Sequence, residues 1–142
     1  MSDPTARARV RFFIDVVARE VEIPMFKLRD GAPEALEKLA EGLGKVQALL
    51  PDPDAAEGGE YAIGKEFTNA DCAIVPLLAY IEIVTETDLG KIEPGVGKKF
   101  GDTLAGGKFD RLRRYQKALW ERESVKKVLD LVSYSVDDIS GY

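Results

Sequence analysis

The sequence predicts an all-α protein, a bundle of about five helices packed around one buried helix. Three observations lead to this fold class. Residues 69–86 follow a strong helix-start signal and are apolar on nearly every side, which is typical of a buried helix. Apolar residues recur at helical spacing in residues 10–21 and again in residues 36–50. No segment has the alternating apolar and polar pattern of a half-buried strand.

The start of the central helix is the most strongly specified part of the chain. Thr68 stands where an N-cap residue accepts a hydrogen bond from the backbone N–H three residues on. Asp71, at the third helical position, can accept from the N–H of Thr68 and complete a capping box. Phe67 is expected to pack on Cys72 as a hydrophobic staple. We therefore interpret Thr68 and Asp71 as structural rather than catalytic residues, and Cys72 as a buried, unreactive cysteine.

Two long helices are predicted ahead of the central one. The first is capped by Asp3 or Thr5, bends near Pro24 and ends at Gly31, because proline interrupts helices and glycine ends them. The second ends at Pro51, since a residue before proline is pushed out of the α region. We expect these two helices to form an antiparallel pair.

The second half of the chain is predicted to begin with an irregular segment. Residues 88–108 are rich in glycine, so little helix is expected there apart from a short turn at 100–104. The glycine spacing does not match a phosphate-binding loop. A helix follows up to Trp120, and Ser124 caps a short last helix. The predicted boundaries are 1–133 for the helical domain and 134–142 for a C-terminal tail.

Composition narrows the function classes. The 142 residues carry a net charge of −5, which argues against a nucleic-acid partner or an anionic membrane surface. The basic cluster at residues 108–117 is interpreted as a solvated helix face rather than a nucleic-acid site. The absence of histidine excludes His-based metal sites and His-based catalysis. One cysteine and a polar N-terminus favour a reducing, cytoplasmic location, and no apolar run is long enough to span a bilayer.

Three segments carry a family resemblance. They are residues 3–15 (DPTARARVRFFID), residues 61–71 (YAIGKEFTNAD) with Pro76 beyond, and residues 115–126 (YQKALWERESVK). The sequence resembles the C-terminal helical domain of cytosolic glutathione transferases over nearly its whole length. The capping-box segment is the most specific part, and the Phe12-to-Asp15 segment is most similar to omega-like, lambda-like and fungal members.

The resemblance implies what the chain is expected to lack. Family members normally begin with a thioredoxin-like domain, which supplies the activating residue and most contacts to glutathione. The 142 residues contain no pattern for that domain, so no catalytic residue is assigned and the question of enzymatic activity stays open. No cofactor is expected in this chain, and glutathione only if a thioredoxin-like domain is paired with it.

The resemblance also implies a hydrophobic substrate site on the first helix, with help from the C-terminal segment. The candidates are Arg11, Phe12, Asp15, Val16, Arg19 and Tyr134. The alternative is that Phe12 and Val16 are ordinary core or interface residues and that Arg11 and Asp15 form a surface pair.

Two functional hypotheses follow. In the first, the chain is the helical half of a glutathione transferase-like protein, provides the hydrophobic ligand site and the domain or subunit contacts, and does not conjugate glutathione alone. In the second, it is a non-catalytic interaction module of a multi-protein complex, of the translation-associated type. The expected partners are a thioredoxin-like domain or another chain, a second copy in a homodimer, and a small apolar ligand.

Overall fold

The computed structural model describes the backbone of residues 3–32, 34–87 and 94–140, and the side chains of residues 3–32, 34–86 and 94–131. Within these ranges the regular structure is entirely helical, with no strand. The predicted all-α fold is therefore confirmed. The helices are α1 Pro4–Val17, continued by a π-helical segment Ala18–Glu22, α2 Ile23–Arg29, α3 Ala35–Leu49, α4 Asn69–Thr87, α5 Val96–Leu104, α6 Asp110–Trp120 and α7 Glu123–Ser140, with a short 3-10 turn at Gly107–Phe109.

The first helical rod, α1 to α2, contains a π-helical segment just before Pro24. Pro24 has no N–H to donate to the carbonyl of Glu20, which is the acceptor that an α-helix would use at this position. The Glu20 carbonyl instead faces α3 at Gly42. A Cβ added to Gly42 would lie 1.8 Å from that oxygen, so only glycine permits this approach.

The first rod and α3 form the antiparallel pair that the sequence predicts. Phe12, early in α1, and Leu49, at the end of α3, line one cleft. Further along, Lys45 Nζ lies 3.1 Å from Glu20 Oε2, and Leu39, near the start of α3, lines a small cavity together with Leu28 of α2. The order along the two rods is reversed, as in an antiparallel pair.

Helix α4 is the centre of the bundle. It contacts α1, α5, α6 and α7, and it buries apolar residues on several sides, among them Ile74, Val75, Leu78 and Ile81. Pro76 lies inside the helix on its exposed side. The predicted buried central helix is present.

Several local predictions are wrong. A nine-residue helix, α5, replaces the expected turn at 100–104, because Phe100 is buried and Gly101 allows close approach to Thr85 of α4. The last helix runs from Glu123 to Ser140, so it is not short, and Ser124 lies inside it rather than at its cap; the boundary between residues 133 and 134 stays a prediction. Cys72 is exposed.

Phe67, the expected partner of Cys72, makes contacts with Tyr61 and Arg122. Its ring lies edge-on to Tyr61, with 5.8 Å between ring centroids. The guanidinium of Arg122 lies 4.4 Å from the Phe67 centroid, and this cation–π contact attaches the entry of α4 to the turn after α6. The apolar residue before the cap is therefore used across the bundle rather than along its own helix.

Candidate functional site

The capping box at the start of α4 is built around the carboxylate of Asp71. The N–H of Thr68 donates to Asp71 Oδ2 at 2.8 Å. Thr68 Oγ1 accepts from the N–H of Ala70 at 3.3 Å, two residues on rather than the three that the sequence predicts. Asp71 Oδ1 accepts two further bonds, from the N–H of Ala62 at 2.9 Å and from the Tyr115 hydroxyl at 2.6 Å.

These bonds leave no room for a substrate at the capping box. Asp71 and Tyr115 are both completely buried. Burial, together with the charge of Asp71, raises the pKa of Tyr115 well above its usual value, so Tyr115 stays a hydrogen-bond donor. The network joins α4, α6 and the loop at Ala62 into one unit, and its role is structural.

The basic cluster on α6 holds the loop between α3 and α4. Arg111 donates to the carbonyl oxygens of Pro51 at 3.1 Å and Gly59 at 3.0 Å. Burial lowers the pKa of Arg111. Arg114 lies 2.7 Å from Glu60, and hydrogen bonds to Glu60 and to a second loop carboxylate raise its pKa. These arginines are occupied with contacts inside the chain.

The ligand-sized apolar concavity lies beside Phe12, and we call it the Phe12 cleft. Its volume is about 300 Å³. Phe12 is 56% exposed, so much of its ring is open to solvent at the cleft. The cleft is lined by Thr5, Ala8, Arg9, Phe12, Phe13, Leu49, Ala62 and Ile63.

Three elements form the walls of the Phe12 cleft. On α1, the residues at 5, 8, 9 and 12 lie on one helical face. Leu49 comes from α3 because the two rods are antiparallel. Ala62 and Ile63 come from the loop before α4, where the N–H of Ala62 is bound to the buried Asp71. The capping network therefore also positions one wall of the cleft.

A second, more polar cleft of about 420 Å³ adjoins the first and shares Ile63 with it. Its charged lining residues are Asp3, Glu57, Lys65 and Glu66. The described residues bring no three side chains of His, Cys, Asp or Glu together in a way that could hold a metal ion. Across the same part of the chain, no helix combines the length and the apolar character needed to cross a membrane.

The structure separates the residues predicted for the hydrophobic site. Phe12 lines the cleft, and Val16 is buried in the core, which agrees with the alternative interpretation for that residue. Arg11 is exposed outside the cleft. Asp15 pairs with Arg19 rather than Arg11, at 2.8 Å, and both are more than half exposed. Tyr134 lies in α7, but its side chain is outside the described residues.

Most of the cleft was not found from the sequence. Thr5, Ala8 and Arg9 precede Phe12 at helical spacing, and that spacing could have indicated them. Leu49, Ala62 and Ile63 are distant in sequence and carry no local signal. They join the cleft only through the antiparallel packing of α3 and the bond between Ala62 and Asp71.

Solved structures identify the fold. The chain is similar to glutathione transferase Omega 1C from Trametes versicolor, with a TM-score of 0.80, 36% identity, and coverage of 95% of this chain and 55% of that one. Glutathione transferase Omega 2C from the same organism matches with a TM-score of 0.73 and 29% identity. The match covers 89% of this chain and 51% of that one. Glutathione transferase Omega 2S from the same organism, in complex with 2,4-dihydroxybenzophenone, matches with a TM-score of 0.79 and 22% identity. The match covers 99% of this chain and 58% of that one, and at this identity it shows a similarity of fold alone.

The chain thus spans little more than half the length of these glutathione transferases. No protein-family model matches the sequence, and no curated protein matches it. The resemblance to the C-terminal helical domain of cytosolic glutathione transferases, predicted from three sequence segments, is confirmed by these structures, which are omega-type proteins of a fungus.

Proposed function

Because this chain has the fold of the helical half of omega-type glutathione transferases, we propose that it serves as the ligand-binding helical domain of a glutathione transferase-like protein. It contributes an apolar ligand site at the Phe12 cleft. Glutathione binding and catalysis come from a thioredoxin-like domain paired with it. The observation that carries the proposal is the exposed Phe12 ring in a ligand-sized apolar concavity on α1.

The dimensions of the cleft support a small aromatic ligand. Ligand sites typically occupy about 300–1,000 Å³ and are lined mainly by apolar side chains. The Phe12 cleft is at the lower end of that range. One solved structure of this fold holds 2,4-dihydroxybenzophenone, a two-ring aromatic, which makes a ligand of similar size reasonable here. At about 0.3 kcal/mol per heavy atom, a ligand of this size would bind with a Kd on the order of 0.1 mM.

A dye titration tests the ligand site. The neutral dye N-phenyl-1-naphthylamine gains fluorescence in apolar sites and has two aromatic ring systems. We expect it to bind the wild-type chain and to bind Phe12→Ser at least fivefold more weakly, since the cleft loses its main apolar wall. Phe26→Ser is the matched control, because Phe26 is 40% exposed on the same rod but lies outside the cleft. Equal weakening by both substitutions would contradict the proposal.

An activity assay tests the proposal that catalysis comes from a paired thioredoxin-like domain rather than from this chain. The purified chain is incubated with glutathione and an aromatic electrophile, and conjugate formation is followed by absorbance. We expect no rate above that of buffer, because the described residues offer no free nucleophile-activating group at the Phe12 cleft. A rate above buffer that disappears on mutation of a residue in this chain would refute the division of roles.

A second candidate function is an interaction module, and one observation favours it. Ile23 and Phe26 are 49% and 40% exposed on α2, outside the Phe12 cleft. Paired large apolar side chains on a helix surface are typical of protein contacts. Sedimentation velocity across a hundredfold range of concentration tests this candidate. It predicts association that Ile23→Ser weakens, and a monomer at every concentration counts against self-association.

A further inference from the structure

We propose that the Phe12 cleft selects aromatic ligands that carry an anionic group, a carboxylate or a sulfonate, and that Arg9 is the cation that binds this group. The inference rests on the proposed function, because it concerns the same cleft. It goes further by assigning a charge to the ligand and a recognition role to one side chain.

The first argument is the position of Arg9. It is the only charged residue among the eight that line the cleft. Among the described residues Arg7, Arg9 and Arg11 of α1 have no ion-pair or hydrogen-bond partner, and of these three only Arg9 lines the cleft. Arg9 also lies three residues before Phe12, so both side chains are on the same face of α1. An unpaired guanidinium beside an apolar wall can bind a ligand with an anionic end and an aromatic body.

The second argument is the local charge around the cleft. The whole chain has a net charge of −5, yet α1 contains three arginines and one acid, Asp15, which pairs with Arg19. The acids Asp3, Glu57 and Glu66 line the adjoining polar cleft rather than the Phe12 cleft. Asp3 is already occupied, since its carboxylate accepts from the N–H of Thr5 at 3.0 Å.

A pair of dyes separates the effect of the ligand's negative charge from that of its aromatic body. 8-Anilinonaphthalene-1-sulfonate and N-phenyl-1-naphthylamine share one aromatic body and differ by the sulfonate. We expect Arg9→Gln to weaken the sulfonate dye about fivefold, which is the limit for an exposed ion pair, and to leave the neutral dye unchanged within about twofold. Arg9→Lys should retain most of the sulfonate affinity. Arg7→Gln is the matched control, because it removes the same charge from the same helix outside the cleft.

The outcomes separate this inference from the proposed function. If Arg9→Gln and Arg7→Gln weaken the sulfonate dye equally, or if neither weakens it, the role of Arg9 is overturned while Phe12-dependent binding of the neutral dye still supports the cleft. If Phe12→Ser leaves the neutral dye unaffected, the cleft is not the ligand site and both proposals fall. A fivefold loss confined to Arg9→Gln and to the sulfonate dye supports the inference.

Discussion

The substitution Asp71→Asn should destabilise the protein strongly although it preserves the shape of the side chain. In the wild type, Oδ1 accepts from the Ala62 N–H and the Tyr115 hydroxyl, and Oδ2 accepts from the Thr68 N–H. An asparagine has one acceptor oxygen and one NH₂ group. In either orientation the NH₂ group therefore faces a backbone N–H that loses its acceptor, the buried N–H of Ala62 or the partly buried N–H of Thr68.

The magnitude follows from that geometry. The Tyr115 and Thr68 hydroxyls can rotate and accept from the new NH₂ group, but a backbone N–H cannot reverse its polarity. One stranded buried N–H costs about 1–3 kcal/mol. The remaining bonds also lose the strengthening that the carboxylate charge provides. We expect a loss of about 2–4 kcal/mol in the free energy of unfolding, which at this chain length lowers Tm by on the order of 10 °C.

Urea unfolding measures this loss. Helix content by circular dichroism and the fluorescence of Trp120, the single tryptophan, give two independent probes of the transition. Asp102→Asn is the matched control, because it makes the same chemical change on an exposed acid of α5 and should cost less than about 0.5 kcal/mol. A loss below about 1 kcal/mol for Asp71→Asn, or an equal loss in both variants, would refute the assignment of the buried carboxylate as the anchor of the loop and the helix.

Three further predictions concern other parts of the bundle. Burial raises the pKa of Tyr115 above its value in the unfolded chain. The stabilising contribution of the protonated hydroxyl is therefore complete below the unfolded pKa of about 10 and is lost as pH rises from there. Urea unfolding above that pH should show stability falling more steeply in the wild type than in Tyr115→Phe. Gly42→Ala should cost more than about 2 kcal/mol because its Cβ would meet a backbone carbonyl, whereas Gly44→Ala, which meets nothing within 4 Å, should be neutral or stabilising by urea unfolding. Arg111→Gln should speed cleavage of the loop after α3 by a glutamate-specific protease, and an unchanged cleavage rate would count against its anchoring role.

The sequence predicted those parts of the fold that are specified locally. The capping bond from Thr68 to Asp71, the buried helix after it and the antiparallel pair all follow from spacing and residue type. The two other partners of Asp71 could not be predicted, because Ala62 and Tyr115 approach it only through tertiary packing. The exposure of Cys72 and the contact of Phe67 with Arg122 are also tertiary features without a local sequence signal.

The remaining errors have similar causes. Glycine content suggested a loop where α5 forms, because glycine disfavours an isolated helix but permits close packing against α4. The π-helical segment before Pro24 has no sequence signature of its own. In the candidate site, Phe12 was predicted because it is apolar and placed on α1. Arg9 was missed because its importance depends on Leu49 and Ile63, which only the folded chain brings beside it.

The central claim is that α1, α3 and the loop before α4 together form one ligand cleft beside Phe12. Amide chemical-shift mapping of the ¹⁵N-labelled chain during titration with N-phenyl-1-naphthylamine tests it most directly. We predict shifts concentrated at residues 5–13, at Leu49 and at residues 62–63, with the amides of α5 unchanged. Shifts centred on residues 23–26, or spread evenly over the bundle, would contradict the claim.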